Sequence, residues 1–389
     1  KDFYEDPAER MMSDFNPIQL QWNREDQIFS QLADPDAIWT LKDQLQSLTL
    51  EESETYLEDF IVHEDVLAVY AMGTFDIGSV RIVAGVRFED TKVDNQAFDQ
   101  DGEETLGGKD YSFWAPSLNL KWNLTEELVL RAAATRSLSR PGFVAMSPVL
   151  ELEIEGDDRS GKYGNPELEP LKSTNLDLAL EYYGDGMNWA SIGVFHKDID
   201  NAIYKTIQRE ATINGVFFND GVETWINADE SKISGIEANI QLGLENGLFV
   251  AANFTHNFTA ESTFKYEDNS TFTTPFRKMA ENAGNISFGY NQDKWDIRIA
   301  MNYRSEYLDW LADEESDIDR VSTDNSRFVS EHIQWDITAK YRFNDKLTIK
   351  AEAINIGDRP EYYYWGRKSR LSQWDIYGAS YSLGLTYQW

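Results

Sequence analysis

The stretch IQWDITAKYRFNDKLTIKAEAINIG, residues 333–357, reads as two strands around a short turn. In the first, Ile333, Trp335, Ile337, Ala339, Tyr341 and Phe343 share one side, while Gln334, Asp336, Thr338, Lys340 and Arg342 share the other. In the second, Leu347, Ile349, Ala351 and Ala353 oppose Thr348, Lys350 and Glu352. Successive side chains of a strand point to opposite faces, so each strand has one apolar and one wet side. A soluble sandwich alternates too, but its strands commonly run only about five or six residues. Strands of about ten residues with aromatics near their ends are the pattern of a membrane barrel, lipid outside and a polar or plugged interior within.

The same pattern extends in both directions. The closing GASYSLGLTYQW, residues 378–389, puts Tyr381, Leu383, Leu385, Tyr387 and Trp389 opposite Ser380, Ser382, Gly384, Thr386 and Gln388. Upstream, Trp295, Ile297, Ile299, Met301 and Tyr303 oppose Asp296, Arg298, Asn302 and Arg304. From residue 66 to the end the hydrophobic period stays near two, which gives about thirteen strands joined pairwise by short turns. Between the pairs run long polar connections at 90–110, 138–171, 209–222, 260–277, 308–327 and 357–373. Short turns on one side and long loops on the other are the outer-membrane arrangement, with the turns periplasmic and the loops extracellular. Residues 1–65 depart from it: acidic and partly helical in spacing, they read as an extracellular loop in which the chain begins, after an upward strand it does not contain.

Composition is compatible with this reading. The chain has 389 residues, a formal net charge of −33 and a mean hydropathy of −0.52. Such charge speaks against nucleic-acid partners. Low hydropathy leaves a barrel open, because a spanning strand needs only alternate apolar residues. No window approaches the run of about 20 apolar residues that a helical span needs. Cysteine is absent, which removes disulfides and thiolate metal sites. The start, KDFYEDPAER, has no signal-peptide pattern, leaving a cytoplasmic, processed or partial chain.

No catalytic constellation emerges: the four histidines, His63, His196, His256 and His332, are isolated, and no phosphate-cradling glycine loop or nucleophile elbow is present. The chain does not read as an enzyme. The loops offer aromatic side chains, Trp225, Tyr307, Trp310, Tyr362, Tyr363, Tyr364 and Trp365, whose faces could stack on sugar rings. Their bland alternative is an interfacial girdle or loop packing. Carboxylates at Asp313, Asp317 and Asp319 are close enough in sequence to share a structural Ca2+, although no defined Ca2+ loop is matched. No other cofactor is implied. Charges of both signs, including Arg81, Arg87, Arg131, Arg298, Arg304, Lys340, Arg342, Lys350 and Glu352, fall on the inner face.

The stretch GKYGNPELEPLKSTNLDLALEYYGDGMNWASIGVFHKDIDNAIYKT, residues 161–206, resembles the C-terminal barrel half of TonB-dependent outer-membrane receptors. The resemblance lies in Gly164, Asn165, Pro166, Leu168 and Pro170, then Lys172, Ser173 and Asn175 at a strand start. Ser139 to Phe143 (SRPGF), Ser234 to Gln241 (SGIEANIQ) and AINIGDRPEYYYW add to it. The likeness covers residues 66–389 and is to the large branch of the family linked to oligosaccharide uptake. It implies a barrel of twenty-two strands, of which these would be the last thirteen. It also implies an N-terminal plug, a TonB box and first strands that this chain lacks, together with a TonB-type energy transducer and its inner-membrane motor. Barrel assembly machinery, outer-membrane lipid and a surface lipoprotein complete the implied partners. Arg298, Arg304, Lys340, Arg342, Lys350 and Glu352 would then face the plug, and Trp389 would be the C-terminal assembly signal. The implied location is the outer membrane of a Gram-negative bacterium. The expected function is active uptake of a scarce oligosaccharide, with a ferric siderophore, or a passive porin or structural barrel, as alternatives.

Overall fold

The computed structural model describes residues 60–98, 103–208, 210–265, 269–314 and 317–389, plus the short paired segments Pro17–Ile18 and Leu32–Ala33. For residues 312–322 and those two segments it describes the backbone only. The helix expected within 1–65 lies outside the described residues.

Thirteen strands form one antiparallel wall in which each pairs with the next in sequence. They are β1 (Phe60–Ile77), β2 (Val80–Phe98), β3 (Glu104–Asn123), β4 (Leu128–Ser139), β5 (Leu171–Tyr183), β6 (Trp189–Asp200) and β7 (Glu230–Gly243). They continue as β8 (Leu248–Lys265), β9 (Asn282–Gln292), β10 (Trp295–Arg304), β11 (His332–Arg342), β12 (Leu347–Ile354) and β13 (Ser380–Tyr387). Alternation makes the strands and tight turns set their register. Gly78, at φ 59°, supplies the left-handed residue between β1 and β2. Between β11 and β12 the Asn344 carboxamide oxygen accepts from the backbone N–H of Lys346 and of Leu347, both at 2.9 Å, which closes the turn.

Two expected boundaries shift. β1 starts at Phe60, so 60–65 belong to the wall rather than to the leading loop. The connection expected at 90–110 is mostly strand, because β2 and β3 run 19 and 20 residues and stay paired from Val80 opposite Trp122 up to Phe98 opposite Glu104. Their outer halves rise beyond the apolar belt, and the sequence there is polar enough to resemble a loop.

The wall has no core in its lower half. Its outward side chains, among them Phe75, Leu118, Leu178, Phe288, Trp335 and Leu385, are exposed over a continuous surface. A soluble monomer rarely leaves so large an apolar face uncovered, whereas lipid requires it. Among the described residues β1 and β13 each pair on one side only, so the wall is an open sheet.

True cores lie at the loop end. Ile199, Tyr204, Ile233, Phe264, Leu308 and Leu311 form one, and Val93, Ala145, Met146 and Leu168 form another. The long connections fold over the wall with small sheets of their own. Leu150–Glu155, Asp158–Tyr163, Gly221–Asn227 and Ile203–Gln208 make one. Tyr307–Glu314, Asp317–Val329, Glu361–Trp365 and Leu371–Asp375 make the second.

Candidate functional site

The second loop sheet crowns the mouth above β10–β12. It ties the connection 305–331 to the connection 355–379 by backbone pairing of Arg327, Phe328 and Val329 with Trp365, Tyr364 and Tyr363. Trp310 meets Trp365 edge-on at 5.4 Å, Phe328 stacks on Tyr364 at 5.6 Å, and Tyr362 lies 6.2 Å from Tyr364. Two guanidiniums sit on rings: Arg327 on Tyr363 at 5.1 Å and Arg304 on Tyr307 at 4.7 Å.

Asp309, 9% exposed, organises this array. Its carboxylate holds Arg327 through Nε at 2.8 Å and also through Nη2, while its backbone carbonyl accepts from Arg277 Nε at 2.6 Å. Arg304 donates to Glu361 at 3.1 Å, and the Tyr363 hydroxyl donates to the same carboxylate at 3.0 Å. Burial, then the bond to Glu361, pushes the Tyr363 phenol up to about 12. Burial likewise pushes Tyr364 to about 12, helped by the nearby Glu306. Both phenols therefore stay neutral donors at any physiological pH.

Lys368 bridges Glu306 at 3.0 Å and Glu331 at 2.9 Å. Its ammonium, followed by Glu331's own backbone N–H and the Ser330 hydroxyl, lowers the Glu331 carboxyl from 4.5 to about 2. A depressed carboxylate stabilises the fold above its unfolded pKa, and that contribution fades as pH falls through the folded value. The tie should thus be complete at pH 6 and weaken between about 4.5 and 2. The protection factors of residues 361–371, measured relative to the intrinsic exchange rate at each pH, are expected to fall over that interval in the wild-type protein, and a Glu331→Gln variant to show lowered protection already at pH 6.

Of the loop aromatics singled out in sequence, Tyr307, Trp310, Tyr362, Tyr363, Tyr364 and Trp365 come together here. Trp225 does not: it sits in the first loop sheet beneath Lys205, at 5.2 Å, and its carbonyl accepts from Asn165 at 2.9 Å. Tyr364 is 4% exposed and is core. The side chains of Asp313, Asp317 and Asp319 lie outside the described residues.

Down the wall, the expected inner-face charges stay on one side by register. Lys350 pairs with Glu352 at 2.6 Å, Lys340 approaches Asp296 at 3.9 Å, and Arg298 lies 5.3 Å from the Phe249 ring. That ring covers Gly289, where a Cβ would come within 2.1 Å of it. Arg81, Arg87 and Arg131 pair with Asp76, Glu89 and Glu181. Arg342 is exposed at the turn end of β11. Arg304 faces up, to Glu361, and belongs to the mouth. Trp389 is fully exposed, with Tyr387 edge-on to it at 6.3 Å. His196 and His256 bind Ser234 at 2.7 Å and Asn282 at 2.9 Å.

Sequence reasoning missed the latches. Arg140 of SRPGF donates to Glu89 at 2.7 Å and lies 3.4 Å from Glu64, pinning a loop to β1 and β2. Asn355, at φ 53°, takes the Asp336 carboxylate on its N–H and donates to the carbonyls of Arg359 and Gly378. Arg140 lies in SRPGF and Asn355 in AINIGDRPEYYYW, while their partners Glu64, Glu89 and Asp336 lie far off in sequence or outside both stretches.

A fold of this kind, a consecutively paired wall under loop-built cores, invites comparison with known proteins. The family profile described as TonB dependent receptor-like, beta-barrel matches residues 16–356. The chain belongs to this family. As a TonB-dependent receptor barrel it is an outer-membrane component of the Gram-negative type. A ferric enterobactin receptor of Pseudomonas aeruginosa is 29% identical over 152 residues, covering 37% of this chain and 20% of that protein. The iron-regulated outer membrane virulence protein of Vibrio cholerae is 24% identical over 274 residues, covering 67% and 39%. The chain thus spans between a fifth and two fifths of these curated relatives. In fold it is similar to the siderophore receptor PiuA of Acinetobacter baumannii, with a TM-score of 0.60 at 13% identity over 85% of this chain and 44% of that one. It is also similar to the P. aeruginosa ferric enterobactin receptor PfeA, with a TM-score of 0.55 at 16% identity over 92% and 55%. The names of these relatives refer to ferric enterobactin, siderophores or iron regulation rather than to the oligosaccharides of the expected branch.

Proposed function

We propose that this TonB-dependent barrel serves uptake of a ferric siderophore across the outer membrane. The observation that carries the reading is its sequence similarity to receptors named for ferric enterobactin and iron regulation. The aromatic faces that had suggested sugar stacking are spent on one another, Phe328 on Tyr364 and Trp310 on Trp365. The uptake needs a plug in the lumen, facing Arg298, Lys340, Lys350 and Glu352, and a TonB-type transducer driven by the inner-membrane motor.

A strain lacking the complete gene tests this. It should grow poorly under iron limitation with a ferric catecholate as the sole iron source, and the intact gene should restore growth. Normal growth there, with a defect confined to defined oligosaccharides, would overturn the reading.

A further inference from the structure

The inner face of β10–β13 differs in charge from the rest of the wall. Register carries three rows across it: Arg298, Thr338, Glu352 and Ser382; then Asp296, Lys340, Lys350 and Gly384; then Arg342, Thr348 and Thr386 at the turn end. In these rows Arg298, Lys340, Lys350 and Arg342 face only Asp296 and Glu352. Asp296 approaches Lys340 at 3.9 Å and Glu352 holds Lys350 at 2.6 Å, so among the described residues no carboxylate pairs with Arg298 or Arg342. Arg342 shares a recess at the turns with Lys294 and Lys346 as well as Asp293 and Asp345. Above the rows, the Asp336 carboxylate is taken by the amides of Asn302 and Gln334 and by the N–H of Asn355.

The other inner surfaces lack this excess. Arg81, Lys121 and Arg131 share one row of β2–β4, but Asp76, Asp177 and Glu181 face the same side. At the same height β7–β9 present Asn239, Gln241, Asn253 and Ser287, with Glu237 and no cation. Arg298 is also held ready: its guanidinium lies 5.3 Å from the ring of Phe249, and that ring can cross β9 because Gly289 has no Cβ. A ferric tris-catecholate is an anion, since its six deprotonated oxygens outweigh Fe3+. A descending series of weak cationic contacts lets such an anion enter without trapping it.

We propose that a ferric chelate released from the mouth descends along the β10–β13 side of the lumen, with Arg298 as its first contact and Arg342 as its last. The inference rests on the ferric-siderophore reading and adds the route taken past the plug.

Cells carrying the full-length receptor and given a radiolabelled ferric tris-catecholate test this. Binding to energy-poisoned cells reads the mouth, and the initial uptake rate reads the route. Arg298→Gln should leave binding affinity unchanged and lower the maximal uptake rate about tenfold, as loss of a charge-assisted contact does. Arg298→Glu should lower it further, and Gly289→Ala, which displaces the Phe249 ring, should lower it less. Lys121→Gln, on the balanced side, should leave both readings unchanged. Entry of a bulky hydrophilic antibiotic that the wild-type receptor excludes reports a loosened plug. Unchanged uptake in both Arg298 variants, an equal loss in Lys121→Gln, or antibiotic entry with Arg298→Gln would overturn the route and leave the siderophore reading standing. Absence of binding and uptake in the wild type would overturn both. Heat-modifiable migration on a gel checks folding, and should Gly289→Ala fail to fold, the two Arg298 variants decide.

Discussion

Replacing Asp309 by alanine is expected to release the loop sheet at the mouth while leaving the wall intact. The carboxylate is nearly buried and grips Arg327, whose side chain is 29% exposed. Breaking a buried ion pair by removing one partner costs about 3–5 kcal/mol, because a charge is left without compensation. Partial exposure of Arg327 places this case at the low end, about 3 kcal/mol. The cost falls on local order, since Arg327 also fixes Tyr363 and Arg327's own strand pairs with Glu361–Trp365. Limited proteolysis within 305–331 should accelerate by about two orders of magnitude, following the population of the open hairpin. Ferric-siderophore affinity should drop with it. Asp309→Asn, which keeps an acceptor but not the charge, should fall between. Unchanged cleavage in Asp309→Ala would show that the array is held by its aromatic contacts instead.

How far such a site could be read beforehand follows from how its residues are bonded. The thirteen wall strands were legible because a spanning strand must alternate and its turns must carry Asn, Asp or Gly. Both signals are local. The upper halves of β2 and β3 were not legible, for a physical reason. Thr91, Val93, Asn95 and Ala97 are buried on one face, but by a folded-over loop rather than by a belt of lipid, so small and polar residues suffice there. The sequence names the mouth aromatics as residues but does not show which of their faces are taken by other rings. Phe328 and Tyr364 are 36 positions apart in sequence, so nothing near Tyr364 announced that its face was taken. The Asp309–Arg327 pair was invisible for the same reason. The motifs that carried the family resemblance proved to be latches: Arg140 and Asn355 hold loops to the wall, Asn165 ties one loop to another, and all say little about cargo. That is why the family was readable and the branch was not.

The mouth is also tied to the neighbouring core, and Tyr204 makes the tie. Its ring is 1% exposed, edge-on to Phe264 at 5.3 Å and to Phe276 at 6.4 Å. Its hydroxyl donates to Ser262 at 2.6 Å and accepts the backbone N–H of Arg277 at 3.2 Å. Arg277 then reaches the Asp309 carbonyl, so three connections meet across two side chains. Tyr204→Ala should destabilise the loop layer by about 3–5 kcal/mol, the cost of emptying a large aromatic site. Tyr204→Phe should cost about 1–3 kcal/mol, because Ser262 keeps Ser231 as a partner at 2.6 Å while the Arg277 backbone N–H loses its acceptor. Hydrogen exchange at Ile203–Gln208 and Thr271–Pro275 reads both. Since the two networks share Arg277, the double variant Tyr204→Ala with Asp309→Ala should lose less than the sum of the single losses, by about 0.5–3 kcal/mol. Strict additivity would mean that the connection 269–281 passes nothing from the core to the mouth, and that the two sites open independently.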